Sequence, residues 1–80
     1  MDFLKRLLVD EAKKEHVVIE PLQGCDSFEN CFTHEGNTII FWFLTRDGST
    51  HILIAEYKNG IFEKVFKEPN HSIIAPSCRV

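Results

Sequence analysis

The first fifteen residues, MDFLKRLLVDEAKKE, set Phe3, Leu4, Leu7, Leu8 and Ala12 three or four positions apart with charged residues between them. That spacing follows the 3.6-residue period and predicts a helix with one apolar side. Asp2 is a suitable N-cap. Asp2 with Arg6, and Asp10 with Lys14, are acid-before-base pairs four residues apart, which support a helix. Lys13 and Lys14 suit the negative end of its dipole. The apolar stripe fades after Leu8, so the helix is expected to cover one patch of a sheet, through Leu4, Leu7 and Leu8.

The pattern then changes. HVVIEP (residues 16–21) is a short β-branched run ending at Pro21, which cannot donate to a ladder, and predicts a brief strand. LQGCDS reads as a loop. From Phe28 onward, apolar runs alternate with turn dipeptides: Gly36 with Asn37, Asp47 with Gly48, and Asn59 with Gly60. Such pairs favour tight hairpins because their residues tolerate positive φ. Four antiparallel strands follow, near 28–34, 38–46, 49–57 and 61–67.

Two-residue loops would fix the register. Phe32 would face Phe41, Trp42 would face Leu53, Phe43 would face Ile52, Tyr57 would face Phe62, and Leu53 would face Phe66. Alternation then gives one side Phe32, Ile39, Phe41, Phe43, Ile52, Ile54 and Val65. The other receives Cys31, Ile40, Trp42, Leu44, Leu53, Ala55, Tyr57, Phe62 and Phe66. A three-residue loop with a bulge would shift one of these registers by a position.

The fold class expected is α+β: an N-terminal helix packed on a four- to five-stranded antiparallel meander. Both sheet faces are apolar, whereas an antiparallel sheet commonly leaves one face wet. The helix is expected on the side of Phe41, Phe43, Ile52 and Ile54. The other side needs the tail HSIIAP, a curl of the sheet, or a second molecule. Trp42, Leu53, Tyr57, Phe62 and Phe66 are the candidate interface residues there, because a contiguous apolar patch of that size marks an interaction site.

Length and charge narrow the function classes. Eighty residues make one domain, 1–80, with a hydrophobic content of 44% that suits a packed core. A net charge of −3 lacks the positive potential that phosphate-backbone binding requires, so nucleic acid is not the expected partner. The longest apolar run, IIFWFL, is far below the ~20 residues that span a bilayer, and no leader pattern opens the chain. No membrane association is expected, and a cytoplasmic location with reduced thiols is.

Three cysteines are too few for a disulfide framework. In CDSFENCFTHEGN the spacing of Cys25, Cys31 and His34 misses the short knuckle of structural zinc sites. Those three with His71 or Cys78 could still supply four ligands, and a Cys25–Cys31 disulfide is a further alternative. Cys31 and His34 lie three apart on a strand and so point to opposite faces, which does not suit a nucleophile and its base. No catalytic constellation appears, and neither a metal nor another cofactor is expected. The function expected is a small protein-interaction module or subunit, self-associating through its apolar sheet face. The alternative is a small metal-binding protein using the Cys25–His34 segment.

Overall fold

Asp2 begins the helix as its sequence suggests. In the computed structural model, which describes residues 2–66 and 75–78, its carboxylate accepts a hydrogen bond from the Lys5 N–H at 3.0 Å and caps α1, Phe3–Glu15. That bond is the main reason the Asp2 carboxyl sits below its usual range. At the other end the His16 N–H donates to the Ala12 carbonyl, with Lys13 and Lys14 in the last turn.

The buried side of α1 is narrower than the apolar spacing implied. Leu8, Val9 and Ala12 are buried and Leu4 packs against them, whereas Phe3 and Leu7 stand in solvent. Leu7 is therefore not one of the sheet contacts. Ala12 explains the choice: it has no exposed surface, and its small side chain lets the helix lie close over Phe41 and Phe43.

Among the described residues five antiparallel strands follow: β1 (Ile19–Glu20), β2 (Phe32–Glu35), β3 (Thr38–Thr45), β4 (Thr50–Lys58) and β5 (Ile61–Phe66). The sheet runs β1-β3-β4-β5, and β2 also pairs with β3. β1 meets one end of β3, Ile19 opposite Thr45, and β2 meets the rest, Phe32 opposite Phe41. A 3₁₀ turn, Phe28–Asn30, occupies the start of the predicted second strand. The architecture is thus α+β, one N-terminal helix on an antiparallel sheet, as expected.

The hairpin registers decide what lies on each face. Glu35 faces Thr38 across Gly36 and Asn37, a two-residue loop as predicted. Asn59 and Gly60, with φ of 51° and 83°, make the expected two-residue turn, and Tyr57 faces Phe62. The middle hairpin differs. The Gly48 N–H donates to the Thr45 carbonyl, the Thr45 N–H donates to the Ser49 carbonyl, and Gly48 has a φ of 85°. This is a three-residue loop, a turn followed by a left-handed glycine. Trp42 consequently faces Ile52, and Phe41 faces Leu53.

A one-residue slip turns every β4 side chain to the opposite face. Leu53 and Ala55 lie on the helix side with Leu8, Val9, Ala12, Ile39, Phe41 and Phe43. Ile52 and Ile54 lie with Ile40 and Trp42 on the other. A second irregularity, between Ile54 and Ala55, sets Phe66 opposite Ile54 rather than Leu53.

Both faces of the sheet centre are buried. On the second face Ile40, Trp42, Ile52 and Ile54 are closed from solvent, Leu22 packs against them, and the Trp42 Nε1–H donates to Thr33 Oγ1 at 3.2 Å. The predicted covering residues Ile73 and Ile74 lie outside the described residues.

Leu8→Ala should cost about 2–5 kcal/mol in a denaturant melt, the range for deleting a buried leucine, whereas Leu7→Ala at low protein concentration should cost under about 1 kcal/mol. Equal losses would refute the assigned inward side of α1.

Candidate interaction surface

The five residues expected to make one interface patch do not share a face. Trp42 is 6% exposed and Leu53 1% exposed, on opposite sides of the sheet. The slip of β4 is the reason. Tyr57, near the end of β4, is 42% exposed. The side chains of Phe62 and Phe66 lie outside the described residues.

The exposed apolar surface lies elsewhere. Phe3 is 73% and Leu7 45% exposed, one turn apart on the side of α1 that faces away from the sheet. Around them run Asp2, Arg6, Asp10 and Lys14, all exposed, at regular four-residue steps of alternating charge. Lys14 Nζ lies 3.2 Å from Glu11 of the same helix. The same four residues are the acid-before-base pairs of the helix sequence. Ile61 is a further exposed apolar residue, beside the last hairpin turn.

The Cys25–His34 segment is dispersed. Cys25 is bonded to Cys78, with Cα atoms 5.0 Å apart, so neither is the free thiol expected. Cys31 stays free and fully buried in the helix-side core. Burial raises its pKa, so the thiol remains protonated. His34 is exposed on β2. Among the described residues no three metal-ligating side chains come together.

At the opposite end of the sheet the slip of β4 creates a cluster that the predicted pairing of His51 with Leu44 concealed. His51 lies opposite Phe43 instead, stacked on it at 5.6 Å between ring centres. His16, capping the end of α1, approaches Phe43 at 5.5 Å and His51 at 4.9 Å. Phe41 continues the run of rings toward Phe32 and Phe28. The histidines line an open cleft of about 440 Å³ with Glu15, Arg46 and Asp47. Asp47 accepts hydrogen bonds from the Thr45 hydroxyl and the Ser49 N–H, and these lower its pKa to about 2.

The cysteine pairing predicts that the native protein offers no accessible thiol, that one thiol, Cys31, reacts after denaturation, and that three react after reduction. Closing a ring between residues 53 apart contributes about 4 kcal/mol by the chain-entropy relation, so reduction should lower the denaturation midpoint markedly. Three thiols in unreduced, denatured protein would refute the pairing.

For Asp47, whose pKa falls from 3.8 to about 2, the stabilising contribution should be complete above pH 3.8 and lost as pH falls through about 2. A carboxyl NMR titration should find that midpoint. A value at or above 3.8 would show the turn bonds to be absent in solution.

No protein-family model, no curated protein and no solved structure matches this chain.

Proposed function

We propose that the protein is a small interaction module that associates with a second copy of itself, and that the contact is made by the outer face of α1. The observation that supports this reading is the exposure of Phe3 and Leu7 inside a row of alternating charges. Exposed apolar side chains rimmed by polar residues mark protein interaction sites. The row Asp2, Arg6, Asp10, Lys14 carries charges of −, +, − and +. An antiparallel copy of the same helix, related by a two-fold axis, sets Arg6 against the partner's Asp10 and Asp2 against the partner's Lys14. Each contact then occurs twice, and the two Leu7 side chains meet near the axis. Self-complementarity of this kind is what a two-fold interface requires.

α1 has 13 residues and is therefore about 20 Å long, so the contact is short and the dimer weak. Trp42 and Leu53, the centre of the sheet patch first expected to associate, are buried, whereas Phe3 and Leu7 are exposed together on α1.

Sedimentation equilibrium over a wide concentration range tests the proposal. Wild type should show a monomer–dimer equilibrium that weakens with salt. Arg6→Asp should weaken it at least ten-fold by opposing two acids, and Arg6→Asp with Asp10→Arg should restore it. A wild type that stays monomeric at millimolar concentration would overturn self-association. A dimer indifferent to both variants would remove α1 as its surface.

A further inference from the structure

We infer that His16 and His51 together bind a divalent transition-metal ion, such as zinc or nickel, in the cleft where α1 ends and β3 turns into β4. The first support is distance. With metal–nitrogen bonds of about 2.0–2.1 Å and a ring centre about 1.15 Å beyond the nitrogen, two imidazoles on one ion hold their centres roughly 4.5–5.2 Å apart for angles of about 90–109° at the metal. The two rings stand 4.9 Å apart, inclined by 54°. Their spacing already matches that of a shared ion.

The second support is rigidity. His16 is fixed by its backbone bond at the end of the helix, and its ring lies against Phe43. His51 sits in a paired strand with its ring stacked on the same phenylalanine at 16°. Both rings are thus packed against Phe43, which reduces the rotamer freedom that ion binding would have to remove.

The third support is access and charge. The cleft is open to solvent, so water can complete the coordination shell of an ion with two protein ligands. Of the charged groups lining it among the described residues, Glu15 and Asp47 are acidic and Arg46 is basic. Asp47 keeps its negative charge throughout the neutral range. The surroundings thus favour a cation by one charge. Imidazole nitrogen suits zinc, nickel and copper and disfavours magnesium or calcium, which prefer oxygen.

This inference stands apart from self-association, because neither histidine belongs to the proposed contact row. Chelator-treated protein is titrated with zinc and, separately, nickel by calorimetry at neutral pH. One ion per chain should bind, and the thermal midpoint should rise with ion concentration. Binding should weaken in acid, since the ligating imidazoles must be neutral. His16→Phe and His51→Phe keep a ring in each place and should each weaken binding at least ten-fold. In wild type, substoichiometric nickel should broaden the ring resonances of His16 and His51 but not those of His34. Absence of binding up to about 1 mM ion, binding that survives both substitutions, or broadening confined to another histidine would overturn the assignment.

Discussion

The structure depends on the burial of β3 from both sides. Its residues from Ile39 to Phe43 are all buried, and their side chains alternate between the helix-side core and the opposite face. Fully burying one large apolar side chain is worth about 1.5–3 kcal/mol. Exposed ion pairs on α1 are worth only about 0.2–0.5 kcal/mol each. Covering Phe41 and Phe43 therefore dominates the orientation of the helix, and its charged row takes whatever direction remains. That is why Ala12 and Val9 face inward while the larger Phe3 stays outside.

The sequence makes the same strand easy to find and its neighbours hard to align. Three turn dipeptides locate the three hairpins of the described residues, because a left-handed backbone demands specific residues. The registers of β2 and of the start of β5 follow directly from the turns. Asp47 and Gly48 do not distinguish a two-residue loop from a three-residue one, since glycine serves as the left-handed residue in both. The single extra residue moved Leu53 to the helix side and dissolved the patch that had joined it to Trp42. The Cys25–Cys78 bond was equally illegible. A disulfide requires Cα atoms within about 7 Å, and a separation of 53 residues says nothing about that distance.

The slip also carried information in the other direction. His51, Leu53 and Ala55 occupy alternate positions of β4, so the residue added to the loop turned all three toward the helix. His51 thereby arrived beside Phe43 and within 4.9 Å of His16. In the two-residue register it would have paired with Leu44, on the other face from the end of α1. Neither histidine is notable in the sequence. What joins them is the geometry of one turn, in which Asp47 also fixes the backbone by accepting from Ser49.

A domain of 80 residues has little stability in reserve, and the disulfide is placed where it matters most for the sheet. The covalent ring from Cys25 to Cys78 encloses β2, β3, β4 and β5, whereas α1 and β1 lie outside it. Strands β2 to β5 are thus restrained in the unfolded chain independently of the helix, which is held by packing through Leu4, Leu8, Val9 and Ala12. Substitutions on the outer face of α1 touch neither the ring nor that packing. The surface carrying Phe3, Leu7 and the alternating charges is consequently constrained by neither the disulfide ring nor the core.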